Sequence, residues 1–462
     1  MLVRPTSRIS RTRAIEGRLA PAVMTTILWL RRDLRIHDHP ALDAARSRAD
    51  HLVPVFCFDD RLLRGRHASG PRTQFLLECL ADLDGSLRAR GSRLVVRRGR
   101  PEVEIPKLAA ETNADAVHYS ADVSGFARER DARVRRALER TRATAHEHPG
   151  LFVVDDLDAI RTGAGNPYTV FTPFHRAWAG VPRRRRRGTP RALPPLPPEI
   201  NPDTIPELGD LGLCQEVEEP QPGGEHHARA AMRAFASDHA CGYGAQRDLV
   251  AEPGTSRLSP YLHFGCLSAC ELEDRVDDAE FRRQLAWRDF FAHVLLHFPG
   301  NARSEHQPRY QGTIRWSRAD KRFLAWCEGR TGYPLVDAGM RQLRREGWMH
   351  NRARLVVASF LTKDLGIDWR WGERWFMRLL LDGDQASNNG NWQWIASVGV
   401  DPQPPFRRML NPTRQEARFD PDGEYVRRYV PELRDGASGY IEPIVDHAVA
   451  RRNALARYRV AR

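Results

Sequence analysis

The 462-residue sequence is poor in several features, and each shortage excludes a class of protein. Only three of its 72 cationic residues are lysines: Lys107, Lys321 and Lys363. No run of about 18 apolar residues occurs, so we expect no membrane-spanning helix. The seven cysteines are odd in number and scattered along the chain, which argues against a disulfide framework and favours a reducing, cytoplasmic location.

Positive charge, by contrast, is abundant. Cationic residues outnumber acidic ones by 72 to 59, and the net charge is +13. An excess of this size indicates an anionic partner, with nucleic acid as the first candidate. The open alternative is a genomic bias towards arginine codons. Hydrophobic residues make up 41% and charged residues 28%, which is typical of a globular protein.

The first part of the chain alternates apolar strand-like runs with helical stretches such as 73–90 and 127–142. This alternation predicts an α/β domain with a Rossmann-like parallel sheet. The turn Arg31–Arg35 after the first strand has no glycine, which excludes a dinucleotide-binding fingerprint and a Walker loop. The predicted strands are 26–30, 52–58, 93–96, 116–119 and 151–154.

Composition divides the sequence into four parts. Residues 1–23 are rich in arginine, and we interpret them as a disordered or mis-started extension, with a transit peptide as the alternative. Residues 24–156 form the α/β domain, and 157–225 form a long connector rich in proline and arginine. Residues 226–462 form an all-helical domain, because long helical stretches such as 281–298 dominate there.

Two segments of the helical part combine polar and aromatic groups. Tyr243 is followed by Gly254–Pro260, whose hydroxyls and amides suit a phosphate, although a plain helix cap is the alternative. Gln284, Trp287 and Arg288 share one helix face with Phe291, because they are spaced i, i+3, i+4 and i+7. The alternative for this face is ordinary helix packing.

Two later segments complete the set: Gly347–Arg354, and Asp382–Asp384 with Asn388–Trp394. Two aspartates around a glycine can bind a metal, but no EF-hand pattern follows, so we expect none. We expect Asp382 to pair with Arg354 instead. Grouped indoles and amides suit a planar aromatic ligand or a flipped-out base.

With these motifs the chain resembles the photolyase/cryptochrome family from Thr25 to about Glu442. It is most similar to bacterial class I photolyases, which repair cyclobutane pyrimidine dimers. The resemblance implies an N-terminal antenna domain, a C-terminal all-helical FAD-binding domain, and a monomer that acts on UV-damaged DNA. The segments that carry it are Thr25–Leu42, Thr255–Pro260, Trp287-Arg288, Thr331–Arg354, Asp382–Trp394 and Asn411-Pro412.

The resemblance also implies a role for individual residues. The implied FAD-binding residues are Tyr243, Thr255, Ser256, Arg257, Leu258, Ser259, Arg354, Asp382, Gly383, Asp384 and Asn388. The implied DNA-binding residues are Arg247, Gln284, Trp287, Arg288, Asn351, Arg352 and Trp394. Electron transfer would use Trp316, Trp369 and Trp392, with Trp371 as an extra indole near this path. Gln284, Asn351 and Asn388 would be catalytic: light-excited reduced FAD would donate an electron to a flipped-out dimer, whose ring splits before the electron returns.

Two positions, Gln284 and Leu355, and one stretch, Asp122–Phe126, depart from the family pattern. Dimer-repairing relatives have Glu at Gln284 and usually Met at Leu355, whereas (6-4) photolyases carry histidines at Asn351 and Leu355. We therefore expect dimer repair rather than (6-4) repair. A photoreceptor with weak or no repair, and a light-independent flavoprotein that binds DNA, are the alternatives. The stretch Asp122–Phe126 lacks the Asn-Glu pair of folate-binding relatives and resembles relatives with a deazaflavin antenna or none.

Overall fold

The structure is a computed structural model that describes residues 23–238, 242–401, 403–434 and 440–461. The extension assigned to residues 1–23 lies, apart from Val23, outside the described residues, and so does Cys241. Among the residues that are described, no helix is both long and apolar enough to cross a membrane.

The N-terminal part is a five-stranded parallel sheet in the order β3-β2-β1-β4-β5, which confirms the predicted α/β architecture. Side chains of β1 alternate between two cores, with Leu28 and Leu30 in one and Ile27 and Trp29 in the other, so helices cover both faces. The strands are β1 (Thr25–Leu30), β2 (His51–Phe58), β3 (Val95–Arg98), β4 (Ala116–Ser120) and β5 (Thr144–His148). The accompanying helices are α1 (Pro40–Arg46), α2 (Asp60–Leu63), α3 (Gly70–Arg88), α4 (Pro101–Glu111) and α5 (Gly125–Leu138).

The predicted strand at 151–154 is wrong. The fifth strand is β5, a short edge strand whose polar sequence carries little apolar signal. The apolar segment 151–154 instead leaves the sheet and is held by the helical part. The backbone N–H groups of Val153 and Val154 donate to the carboxylate of Asp289, at 3.1 and 3.2 Å. The segment is therefore buried without belonging to the sheet.

The connector is not wholly irregular, because residues Phe171–Ala179 form a helix, α6. The rest of the chain is helical as predicted, and the helix expected at 281–298 is α11. The helices are α7 (Glu225–Asp238), α8 (Tyr243–Gln246), α9 (Ser259–His263), α10 (Ala269–Arg275), α11 (Ala279–His297), α12 (Asp320–Glu328), α13 (Pro334–Glu346), α14 (Asn351–Ser359), α15 (Trp369–Leu379), α16 (Gln385–Ala396), α17 (Pro412–Phe419), α18 (Glu424–Tyr429) and α19 (His447–Val460). Single turns of 3₁₀ or π helix lie at Gly209–Leu211, Pro299–Ala302, Pro308–Tyr310, Phe360–Asp364, Pro405–Arg408 and Pro431–Leu433.

One hydrophobic core joins the two parts of the molecule. It runs from Leu30 of β1 and Leu80 of α3, through Phe174 of α6, to Phe290 of α11. A second core, which includes Trp326, Leu335 and Trp392, lies within the helical part. The sheet and α11 are thus parts of one continuously packed unit.

Candidate functional site

A cavity of about 480 Å³ opens among helices α8, α9, α11, α14 and α16. Its volume is in the range of small-molecule and cofactor sites. It brings together residues from all four motif segments of the helical part. The sequence-predicted residues that line it are Tyr243, Arg247, Ser256, Leu258, Ser259, Gln284, Trp287, Arg288, Asn351, Arg354, Asp382, Asp384, Asn388, Trp392 and Trp394.

Six predicted residues lie outside this lining: Thr255, Arg257, Trp316, Arg352, Trp369 and Gly383. Arg257 pairs with Glu346 at 2.5 Å, and its guanidinium lies over the ring of Trp348. A Cβ atom at Gly383 would come within 2.5 Å of the Arg72 guanidinium, so a larger residue in this turn would have to displace that side chain.

The predicted pairing of Arg354 with Asp382 is confirmed. Arg354 donates from both terminal nitrogens to the two carboxylate oxygens, at 3.2 and 2.9 Å. Its Nε also donates to the carbonyl of Met349, and the hydroxyl of Ser259 donates to Asp382 at 2.6 Å. The Asp382 side chain is only 5% exposed, so this two-point geometry fixes both groups in the cavity wall.

Asp384 caps the N-terminus of α16 and joins it to the sheet. Its carboxylate accepts the N–H of Ser387 at 2.8 Å and pairs with Arg32 at 2.7 Å. Burial is the largest influence and acts to raise the pKa of Asp384, but the Arg32 guanidinium, the N–H of Ser387 and the Arg288 guanidinium together hold that pKa below its usual range. Asp384 is therefore a permanent anion in the wall of the cavity.

Arg32 is a cavity residue that the sequence analysis missed. It follows β1 at its carboxyl end, beside the point where the strand order reverses between β1 and β4. Its Nε donates to the carbonyl of His263 at 3.0 Å. The sequence signal for Arg32 was the charged turn Arg31–Arg35 at the carboxyl end of β1. In open parallel sheets, side chains at such a reversal of strand order contact ligands.

His263 also lines the cavity and was not predicted. Burial, followed by the charge of Arg32, lowers the pKa of His263 well below its usual value, so the ring is neutral at pH 7. Its Nδ1 is buried and has no hydrogen-bond partner among the described residues. A neutral ring nitrogen in this position can accept or donate one hydrogen bond to a ligand.

Asn388 lies on α16 and is 9% exposed. Its Nδ2 donates to the backbone carbonyl of Glu373 at 3.0 Å, which fixes the orientation of the amide. Close packing of α15 on α16 brings the two helices together here. A Cβ atom at Gly372 would lie 2.1 Å from Cη2 of Trp392, so the indole packs directly on backbone.

The predicted face of α11 is confirmed, because Gln284, Trp287, Arg288 and Phe291 all line the cavity. The Trp287 ring stacks on the ring of Phe171. Arg288 donates to the carbonyls of Leu151 and Leu262, at 2.8 and 3.2 Å. Its guanidinium thus binds backbone between the two parts of the molecule, and its predicted DNA contact stays a prediction.

Of the other predicted DNA contacts, Arg247 and Asn351 line the cavity, whereas Arg352 lies outside its lining. Arg247 pairs with Glu280 at 3.0 Å, and Arg352 pairs with Asp248 at 2.6 Å. Asn351 is exposed in the first turn of α14.

Trp394 has one side of its indole against a cation. The guanidinium of Arg408 lies 4.1 Å from the ring centroid, and the indole N–H donates to Asp401 at 3.2 Å. These contacts hold a half-buried aromatic surface at the cavity.

The three predicted electron-transfer tryptophans differ in burial. Trp392 lines the cavity and is 2% exposed, Trp369 is fully buried, and Trp316 is half-buried beside Tyr458. Trp392 contacts the ring of Trp326, with ring centroids 6.3 Å apart. Rings continue from Trp326 through Phe323 to Trp371, with centroid distances of 5.8 and 5.0 Å.

Comparison with known proteins identifies the family that shares this architecture. Residues 26–198 match the family described as DNA photolyase, and residues 281–442 match the FAD binding domain of DNA photolyase. A deoxyribodipyrimidine photo-lyase of Streptomyces griseus is 42% identical over 91% of this chain and 96% of its own length. A class III photolyase of Agrobacterium tumefaciens has a TM-score of 0.87 at 34% identity, covering 96% of this chain and 99% of its own. A Synechocystis sp. PCC6803 cryptochrome has a TM-score of 0.84 at 29% identity, covering 95% and 99%. Identity at this level over nearly the whole length means that the chain belongs to the photolyase/cryptochrome family.

Proposed function

We propose that the protein is a light-driven DNA-repair lyase that splits cyclobutane pyrimidine dimers, with FAD bound in the cavity. One observation carries the proposal: a single cavity is lined both by the residues expected to hold the flavin and by those expected to hold a flipped-out lesion. A flavoprotein that merely bound DNA would not need the two sets of residues to share one space.

The cavity residues fit FAD in size and chemistry. The cavity combines apolar walls with fixed charges and with the unpartnered Nδ1 of His263, so a large ligand with both aromatic and polar parts suits it. Bound there, reduced FAD would supply the light-excited electron that opens the cyclobutane ring. The residues that would hold it are Tyr243, Ser256, Leu258, Ser259, Arg354, Asp382, Asp384 and Asn388.

The remaining cavity residues are assigned to the lesion. Trp287 and Trp394 offer aromatic surfaces for stacking, each worth about 1–3 kcal/mol by analogy with base stacking. The Gln284 amide and Asn351 can donate hydrogen bonds to pyrimidine carbonyls. Arg247 and Arg352 are assigned to backbone phosphates, so affinity should fall steeply with salt.

Trp392, Trp369 and Trp316 are assigned to electron transfer between the flavin site and the surface. The position of Trp392 in the cavity wall supports the first of these assignments. The antenna domain would hold a deazaflavin or no second chromophore. We also propose that the protein is a monomer and is located in the cytoplasm.

A second candidate is a blue-light receptor with weak or no repair. It is favoured by Gln284, which lacks the carboxyl of dimer-repairing relatives, and by Leu355, which lines the same cavity. The two candidates predict different chemistry on the same DNA.

The test uses UV-treated oligonucleotides that contain a thymine dimer or a (6-4) lesion. We expect the reduced, FAD-loaded protein to remove the dimer under blue light and not in the dark, measured by chromatography of the digested DNA. Absence of repair under saturating light would contradict the proposal and favour the receptor.

A Gln284→Glu variant tests the departure at this position. Because a carboxyl group can supply a proton to the lesion whereas an amide cannot, we expect dimer repair to rise about two- to tenfold. Gln307→Glu, a substitution of the same kind outside the cavity lining, is the control. An unchanged or lower rate for Gln284→Glu would show that this position does not limit repair.

A further inference from the structure

The connector helix α6 places an aromatic ring directly on Trp287. Phe171, the first residue of α6, lies face to face with the indole, with ring centroids 3.7 Å apart and planes 5° apart. Among the ring pairs of the described residues, this pair is the closest and the most parallel. At this separation the phenyl ring covers one face of the indole.

Several contacts fix Phe171 relative to α11. Phe174, one turn further along α6, packs against Phe290 with ring centroids 5.2 Å apart. The indole N–H of Trp178 donates to the carboxylate of Asp289 at 3.0 Å. Phe171 itself is only 5% exposed. The stack is therefore anchored at three points along α6, and neither ring can turn without disturbing this packing.

We propose that Phe171 is a positioning residue for lesion recognition, which holds the Trp287 indole in one plane so that a flipped-out base stacks on its opposite face. The inference rests on the proposed function, because Trp287 is assigned to the lesion there. An aromatic side chain that is already fixed loses less conformational freedom when a ligand stacks on it, and this raises affinity. Undamaged DNA, whose bases stay in the duplex, gains nothing from the stack.

The geometry allows one competing interpretation with the opposite sign. A ring stacked on Trp287 could occupy the place of the base, and its removal would then strengthen lesion binding. The sign of the change in affinity distinguishes positioning from competition.

The test uses the full-length, FAD-loaded protein in the dark. Phe171→Leu removes the flat ring but keeps an apolar side chain, and Phe171→Tyr restores the ring. Phe56→Leu is the matched control, because Phe56 belongs to the same hydrophobic core and its ring partner is Phe58 rather than a residue of the stack. Fluorescence anisotropy gives the Kd for a duplex oligonucleotide with one thymine dimer and the Kd for the same duplex without the dimer. Thermal unfolding measures the stability of each variant.

We expect Phe171→Leu to raise the Kd for the dimer oligonucleotide about 3- to 10-fold and to leave that for undamaged DNA unchanged. Phe171→Tyr should restore wild-type discrimination, and Phe56→Leu should lower the unfolding temperature without changing discrimination. If Phe171→Leu does not fold, Phe171→Met replaces it. An unchanged ratio of the two Kd values in Phe171→Leu, or a lower Kd for the dimer oligonucleotide, would overturn this inference and leave the proposed function standing. Wild-type protein that does not discriminate the dimer would overturn the proposed function as well.

Discussion

Two walls of the cavity are built differently. The helical wall, defined by Arg354, Asp382 and Asn388, is held by contacts within the helical part of the chain. The interdomain wall, defined by Arg32, His263 and Arg288, is held by contacts across the molecule: Arg32 binds Asp384 and Arg288 binds the carbonyl of Leu151. The difference suggests that one wall forms with the helical domain, whereas the other exists only after the sheet has docked.

We expect the largest effect from a substitution that disrupts the helical wall. Arg354→Ala leaves the Asp382 carboxylate, which is 5% exposed, without its cation, and removal of one partner from such a pair costs about 3–5 kcal/mol. We expect purified protein to retain almost no FAD, measured by absorbance at 450 nm against protein concentration. Arg344→Ala, at an exposed position on α13, should retain FAD normally. Full retention in the Arg354 variant would contradict the assignment of this pair to the flavin.

A smaller effect is expected from the interdomain wall. Arg32 and Asp384 are 24% and 18% exposed, so solvent screens the pair. Arg32→Ala should therefore lower the free energy of unfolding by about 2 kcal/mol. We expect a lower unfolding temperature and a roughly tenfold weaker affinity for FAD, since 1.4 kcal/mol is tenfold. Titration of apoprotein with FAD measures the affinity. A loss as large as that of Arg354→Ala would show that the two walls are equally important to the flavin.

The smallest expected effect concerns pH. Burial lowers the pKa of His350, which caps α14 next to the helical wall, to about 4. The unfolded chain takes up a proton near the ordinary value of about 6.5 and the folded chain does not, so stability is present above pH 6.5 and is lost as pH falls towards 4. We expect His350 to contribute about 1–2 kcal/mol of the stability that is lost between pH 7 and pH 5, measured by urea unfolding of the wild type and of a variant without this histidine.

The control for this prediction keeps the cap. His350→Asn retains a side chain that can accept the N–H of Arg352, and it should reduce the loss of stability at pH 5. His227→Asn, at an exposed position on α7, should behave like the wild type. An equally steep loss in both variants would show that His350 does not titrate in this window.

The helical wall and Arg288 could be predicted from sequence, whereas Arg32 and His263 could not. Arg354, Asp382 and Asn388 stand in recognisable motifs, and α11 shows its cavity face through its spacing. The charged turn that contains Arg32 does not reveal its partners, because they are 231 and 352 residues away along the chain. The connector arginines illustrate the same limit. A run of arginines such as Arg183–Arg187 is typical of a solvated surface, yet Arg184 is 11% exposed and pairs with Asp38 at 2.5 Å.

The missed strand has a similar cause. Periodicity registers that residues 151–154 are apolar and buried, but it cannot tell burial in a sheet from burial against a helix. β5 pairs with β4 although its sequence is polar, because the backbone hydrogen bonds that join the two strands do not require apolar side chains. Long-range partners such as Asp289 decide these cases, and they are invisible in a local window.

The hydrogen bonds between α11 and residues 151–154 restrict where extra residues can be inserted into the chain. One helix binds the carbonyl of Leu151 through Arg288 and the amides of Val153 and Val154 through Asp289. An insertion between β5 and this segment would have to break those bonds or move the sheet. Beyond it, the turn at 163–165 is exposed, and a Cβ atom at Gly163 or Gly165 would meet nothing within 4 Å, so added residues should be tolerated there. A tag or reporter domain inserted at this turn would report on the molecule without separating its two parts.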